Sequence, residues 1–566
     1  MYVSQRNILW VPSIVESAVF IGTFTMTYYL LKYANVRMNT SIGKAKVKNK
    51  EEKILKEKYD EAPFAPGPWS WPIVGNAISL GEAPHLTFDE MTKTYGPIFR
   101  IRLGKFPVIV LNNTKVIKEA LNRQREVFSG RPHFASYKLI SLGLGAVFND
   151  TITIGESWRE LKSKMVRHIH TYAASVDKRL AVSQHIWDET VYMTKTLEKM
   201  CAESPTGYVD PETVIRVSIG NAVCAMCFGR RYEVDNAQFV QLLSMNKEFG
   251  VVISAGSRID VMPWIKIFPY YKKAANEFQA LCLRMENWVL DKVTKNIETY
   301  KPGVVRNLID SLTEAELFEK EKMYHTIPEG RRGSNNNNNP KDIPVTEQVD
   351  HRLLSAIVND IFGAGQDTLS SAFLFVLHYM VRFPDIQKRI RDEILKITGT
   401  DRLPTLADRP ELPYMEAAFH EIMRHSSFVA ITIPHLTLSN TILCGYKVPK
   451  STMVFINQYT ANRDPTVWDD PYSFKPERFL KYVSGHCKLD PVKVNKYTIF
   501  STGGRKCPGD ELSKIWMMLS MALILHQCEL VADPNNPPTD GICYGLTMKP
   551  RNLRLKLRRL ESSIVT

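Results

Sequence analysis

The pattern of apolar and polar positions divides the chain into an anchor, a linker and a body. From Ile8 to Leu31 it is apolar with few interruptions, chiefly Glu16 and several hydroxyl side chains, over 24 positions. At 1.5 Å per helical residue such a stretch spans a hydrocarbon layer of about 30 Å. Between Lys32 and Lys58 there are nine basic side chains against three acidic ones. Positive charge after the apolar run keeps the rest of the chain on the cytosolic side. A cleaved leader would instead have basic residues first, a shorter apolar region and a small-residue cleavage site. The expected organisation is a luminal N-terminus (1–7), a transmembrane signal anchor (8–31), a basic cytosolic linker (32–62) and a proline-rich hinge (63–76). In the hinge, Pro63, Pro66, Pro68 and Pro72 disfavour helix and stiffen the chain.

Beyond the hinge the periods change. Residues 95–113 alternate and are rich in Ile, Val and Phe, which predicts strand, turn and strand. Helical periodicity appears next over 187–202, 211–228, 274–298 and 348–382. Residues 326–347 are polar and of low complexity, with five consecutive asparagines, and predict a mobile surface loop. A second β-rich stretch covers 435–457, and a last helix runs over 510–527. The expected fold is mainly α with small β-sheets (α+β), in one catalytic domain over 77–566.

Composition narrows the class. Hydrophobic residues make up 44% and charged residues 23% of the chain, which excludes a disordered or polytopic membrane protein. A net charge of +14 invites a polyanion partner, but much of it lies beside the anchor and no nucleic-acid-binding motif accompanies it, so nucleic acid is excluded. Nine cysteines, an odd number without framework spacing, indicate a reducing compartment. Cys224 and Cys227 lie in an apolar run and read as buried structural thiols.

The segment with the most specific chemistry is FSTGGRKCPG, residues 500–509. A thiolate ligand to porphyrin iron needs an unhindered loop, donors that temper the sulfur and a cation for the propionates. Gly503, Gly504 and Gly509 permit tight bends and close approach to a flat cofactor. Cys507 precedes a helix, whose amides and dipole favour a thiolate. Arg505 offers a planar fork to a carboxylate, and Phe500 shields the sulfur. A second constellation is AIVNDIFGAGQDTLSSAFLF (356–375), a long apolar helix interrupted by Gly363, Gly365, Asp367 and Thr368. Such residues are costly in a buried helix unless it opens for a purpose. Glu421 and Arg424 share one helix face, suited to an ion pair.

With Phe500, Gly503, Arg505, Cys507 and Gly509 in place, the chain resembles the cytochrome P-450 superfamily, whose cysteine loop reads Phe-x-x-Gly-x-Arg-x-Cys-x-Gly. The resemblance implies a haem (heme b, iron protoporphyrin IX) with Cys507 as axial thiolate, set between a long central helix and the cysteine-loop helix. It also implies that Ala364 and Gly365 leave room for dioxygen while Thr368 and Asp367 guide protons to it. Arg478, in the PERF segment, would close a structural network with Glu421 and Arg424. Trp158 matches a propionate-binding position, Lys162 stands where the family has arginine, and His435 matches a second propionate contact. Lysine keeps the charge but lacks the bidentate fork.

Residues 424–435, 245–264, 357–368 and 544–550 look closer to the animal microsomal family one, which hydroxylates flat aromatic molecules, polycyclic hydrocarbons and estrogens. That likeness implies a pocket lined by Phe148, Asn246, Phe249, Asp360, Gly363, Ala364, Val429, Leu546 and Thr547. Asn246 or Asp360 would take a substrate hydroxyl, and Ala430 replaces a proline common in relatives, which frees the backbone beside the slot. It implies a lipophilic substrate, NADPH-cytochrome P-450 reductase as electron donor, cytochrome b5 as an accessory, and the endoplasmic reticulum membrane as location. Lys162, Lys164, Arg167, Lys506 and Lys514 are candidates for the docking face. A dedicated steroid hydroxylase, a haem-thiolate isomerase or peroxide-using enzyme, and a non-catalytic haem- or steroid-binding membrane protein are the competing readings. The intact Asp367 and Thr368 pair disfavours the last.

Overall fold

The computed structural model describes residues 50–149, 176–252, 258–326 and 343–560, together with 162, 163, 165–167 and 169. The anchor at 8–31, Trp158 and most of the low-complexity segment lie outside these residues. Among the described residues no helix is long and apolar enough to cross a membrane.

Eleven described helices have ten or more residues. They are α1 (Lys50–Glu61), α2 (Pro84–Tyr95), α3 (Val176–Glu203), α4 (Glu212–Phe228), α5 (Ala237–Val252), α6 (Pro269–Glu298), α7 (Leu308–Thr326), α8 (His351–Arg382), α9 (Pro384–Thr398), α10 (Pro413–Ser426) and α11 (Asp510–Gln527). The four internal helices expected from periodicity are present: α3 and α6 begin earlier than expected, α4 and α8 begin one and three residues later, and α11 has its expected bounds. One difference is α1, which occupies the end of the expected linker. Its Lys and Glu residues are strong helix formers, and charge alone does not keep them extended.

The expected strand pair is β1 (Ile98–Leu103) and β2 (Phe106–Leu111), antiparallel with Phe99 opposite Val110. The region 435–457 supplies β3 (His435–Leu436), β4 (Thr441–Leu443), β5 (Tyr446–Val448) and β6 (Met453–Ile456). One sheet has the order β1-β2-β6-β3, with β2 and β6 parallel and the other neighbours antiparallel. Four small antiparallel pairings are β4 with β5, β7 (Leu480–Val483) with β8 (His486–Leu489), β9 (Cys528–Ala532) with β12 (Leu555–Arg559), and β10 (Ile542–Cys543) with β11 (Lys549–Pro550). The last six strands are too short for their alternation to stand out in the sequence.

The helix that organises the core is α8. Asp350 caps it by accepting from the backbone N–H groups of Arg352 and Leu353, and Pro384 opens α9 two residues after its end. Its apolar half, including Phe362, Phe373, Phe375 and Met380, is buried against α4, α6, α10 and α11. Each such side chain contributes about 1.5–3 kcal/mol on burial. The expected opening of this helix at Gly363–Thr368 does not occur: α8 is continuous from His351 to Arg382. The Thr368 hydroxyl donates to the Ala364 carbonyl at 2.7 Å, a bond within one turn that accommodates the alcohol without a break.

Glu421 and Arg424 are fully buried on α10 and form a two-pronged ion pair at 2.7 and 2.8 Å. The Arg478 Nε donates to the same carboxylate at 2.9 Å. Arg424 also donates to the carbonyls of Asn462 and Pro471, and Arg478 to those of Asp469 and Ser473. The network therefore ties α10 to a loop of irregular backbone. Glu421→Ala leaves two buried guanidinium groups facing each other, so we expect a loss of about 3–5 kcal/mol in urea unfolding, against near-neutral change for the exposed Glu90→Ala.

Candidate active site

One face of α8 builds the wall of an internal cavity. Asp360, Gly363, Ala364, Asp367 and Thr368 recur at spacings of three and four and so line it together, with Asn359 at the edge. The loop around 140–148 adds Ile140, Ser141, Val147 and Phe148, α5 adds Asn246, Phe249 and Gly250, and α6 adds Cys282 and Met285. Val429, Ile433, Leu546 and Thr547 complete it. The volume is roughly 140 Å³, similar to a cavity that takes up benzene. Every residue expected to line a substrate pocket is in this wall. Gly365 is not: a side chain there would point at Val223 of α4. Ala430 is also outside the wall, buried and accepting from the Tyr459 amide.

The aromatic walls are braced from behind. Phe249 stacks on Phe278 with centroids 6.0 Å apart, and Phe148 lies against Tyr137 at 4.8 Å. The polar groups are also tied down. Asp360 accepts from the Ser141 hydroxyl at 2.7 Å and the Val147 amide at 3.1 Å. Burial raises its pKa to about 6, against the pull of those donors. Asn246 donates to the Gln366 side chain. Asp367 accepts from the Thr547 hydroxyl at 2.7 Å, and Lys549 and Arg216 stand 3.6 and 3.8 Å from its other oxygen. Ser371 and Thr547 share a further hydroxyl contact at 2.8 Å.

The cysteine loop takes the form its glycines allow. Gly503 has φ +70°, and a Cβ there would fall 1.8 Å from the Leu121 carbonyl oxygen, so glycine is required on both counts. A Cβ on Gly504 would meet nothing within 4 Å. The Cys507 amide donates to the Phe500 carbonyl at 2.9 Å, which closes the loop just before α11. Burial pushes the Cys507 thiol up, while the Gly509 amide, Lys506 and Lys162 act in the opposite direction. A metal bound at the sulfur would deprotonate it outright.

Four basic residues from separate segments converge nearby. Burial depresses His435 far below its usual range, and Arg131, Arg505 and Lys162 deepen the effect. Its Nδ1 lies 2.8 Å from the Phe128 carbonyl. Lys162 is brought down to about 8 by burial and by Arg505 and Arg131, with Cys507 opposing, and it donates to the Gly504 carbonyl. Arg505 donates to the carbonyls of Ser129, Ala146 and Asn149. Arg131 donates to those of Val147, Ile433 and Pro434. This basic cluster beside the Cys507 thiol suits a flat dianionic cofactor. Arg131 was not among the expected residues; the arginine in FSGRPHF (128–134) was its only trace in the sequence.

The family model for Cytochrome P450 matches residues 65–557. The chain is 36% identical over 514 residues to Cytochrome P450 1B1 of Homo sapiens, covering 90% of each chain. It belongs to the cytochrome P450 family. The 1B1 protein of Mus musculus is 37% identical over 90% of each chain, and Cytochrome P450 1A1 of Opsanus tau 33% identical over 97% of each. The chain is thus a haem-thiolate monooxygenase, and its electrons come from NADPH through a flavoprotein reductase.

The position of Asp360 gives a pH signature. Its folded-state pKa of about 6 lies above the usual 3.8, so between these values the native protein holds more protons than the unfolded chain. Stability therefore falls as pH rises through that window, by about 3 kcal/mol in total. Asp360→Asn should remove this slope, which urea unfolding of both proteins at pH 4, 5, 6 and 7 would measure; an unchanged slope would refute the assignment.

Proposed function

We propose that the cavity receives lipophilic, flat aromatic molecules, such as polycyclic hydrocarbons, xenobiotics and estrogens, for hydroxylation, with Cys507 as the haem ligand. The observation that carries this reading is the cavity itself: braced phenylalanines and the acid–alcohol pair of α8 share one small, mostly apolar space. Offset stacking on Phe148 and Phe249 favours planar π systems. The convergence of Arg131, Lys162, His435 and Arg505 supports their holding the haem propionates, with Phe500 flanking the sulfur. Haem held there would supply the chemistry of dioxygen activation, in which one oxygen atom enters the substrate and the other leaves as water, with two protons and two electrons that originate on NADPH.

The chain's own part in the reaction is binding, exclusion of water and proton supply. Thr368 presents its hydroxyl oxygen to the cavity while its proton rests on the Ala364 carbonyl, so it can hold a proton donor in place. Asp367 holds the Thr547 hydroxyl on one oxygen and two cations near the other. Through Lys549 this group reaches Glu212, 3.6 Å away and partly exposed, which is a route for protons from outside.

The anchor at 8–31 supports a single-pass placement in the endoplasmic reticulum membrane, with the catalytic body cytosolic. NADPH-cytochrome P-450 reductase, with cytochrome b5 as accessory, would meet the basic face that carries Arg167. Lys506 and Lys514 both close on Asp510 at 2.7 Å, which makes them weaker contributors than their charge suggests.

Cys507→Ala should abolish the red-shifted Soret band of the reduced carbon monoxide complex; its persistence would overturn the ligand assignment. Thr368→Ala should keep that band and go on consuming NADPH with reductase present. Product formed per NADPH should fall on the order of tenfold, and unchanged coupling would remove Thr368 from the proton route.

A further inference from the structure

Within the cavity most polar atoms are already bonded to the protein. Asp360 is occupied by Ser141 and Val147. Ser141 is itself occupied, since it donates to Asp360 and accepts from the Asn359 Nδ2 at 3.2 Å. Of the two residues first expected to bind a substrate hydroxyl, Asp360 is thus taken up by the protein, whereas Asn246 gives only its Nδ2 to Gln366 and keeps its Oδ1 on the side of Gly363. A further acceptor, not expected from the sequence, is Asn359. It lines the cavity, is 8% exposed, and its Oδ1 is buried without a hydrogen-bond partner. An unmet amide oxygen in such a place is destabilising, and a donor from a ligand would recover the loss.

The surroundings select the donor. Behind Asn359, the Glu286 carboxyl of α6 accepts from Ser355 at 2.7 Å, and its second oxygen is also buried without a partner. Burial pushes Glu286 up, and nearby Asp360 adds to the effect, with Arg352 opposing. This corner thus presents acceptors in excess of donors. Its open acceptor is a neutral amide, and a hydroxyl loses far less on leaving water than an ammonium does.

We propose that Asn359 is a specificity-determining residue, whose Oδ1 accepts a hydrogen bond from a phenolic hydroxyl on an aromatic substrate. The inference rests on the aromatic-pocket reading above and adds the polar end of the substrate.

The test is a spectral titration of the full-length holoenzyme with 2-naphthol, 2-methoxynaphthalene and 2-methylnaphthalene, which differ in the donor but hardly in shape. In Asn359→Leu, affinity for 2-naphthol should fall roughly five- to tenfold relative to both analogues. Asn359→Thr keeps an acceptor oxygen and should retain most of the naphthol preference, and Asn359→Ala, which also lacks the acceptor, stands in for the leucine variant if that one binds no haem. An unchanged ratio in Asn359→Leu, or an equal loss for all three ligands, would overturn the proposal while leaving the aromatic pocket intact. If none of the three perturbs the wild-type spectrum, the pocket reading falls and this inference with it.

Discussion

Much of this protein depends on a pair of charges removed from water. Arg424 and Glu421 are fully buried, and each is satisfied only because several loop carbonyls and Arg478 converge on them. The Asn462 carbonyl accepts from Arg424, and the Asn462 side chain in turn accepts from the Thr498 amide at 3.3 Å and donates to Ser427. Two residues beyond Thr498 the chain reaches Phe500, whose carbonyl closes on the Cys507 amide. A salt bridge on a helix thus sets the path of irregular backbone that leads into the cysteine loop. Irregular segments have no ladder of their own, so a charged hub that must be fully bonded is an effective way to give them one conformation.

The central helix solves a different problem. Thirty-two residues in one piece carry a face of apolar packing and a face of chemistry, and the helical period separates them. Small residues at 363 and 364 keep the chemical face low, so that the cavity lies directly on the helix. Asp360 and Asp367, one face and two turns apart, differ in what surrounds them. Asp360 is held by neutral donors and pushed up by burial, whereas Asp367 sits between a hydroxyl and two cations. Two carboxyls on one helix are thereby held differently, one by neutral donors that brace the cavity wall and one between a hydroxyl and two cations.

The basic cluster beside the cysteine loop shows how cations are kept close without a protein anion at every contact. Arg131 and Arg505 spend their guanidinium donors on backbone carbonyls, and Lys162 does the same with Gly504. Carbonyl oxygens satisfy the donors but do not neutralise the charge, so the positive field is preserved for a dianionic cofactor. His435, held nearly neutral by burial and by that same field, adds a hydrogen-bonding group and no further charge.

The cysteine loop, the acid–alcohol pair of α8 and the long helices were legible in the chain because each is a local pattern. The glycine at 503 and the period of α8 are imposed by backbone sterics and by side-chain direction, which act over a few residues. The continuity of α8 through Gly363–Thr368 was not legible, since it depends on the helices packed around it. Arg131, more than three hundred residues from Arg505, joins the same cluster only through folding. Nor could spacing reveal that Asp360 is already engaged by Ser141 and Val147 while Asn359 keeps an open acceptor. Hydrogen-bond satisfaction in a buried site is a property of all the elements that meet there, so local sequence named the candidates and tertiary packing decided which of them remain available.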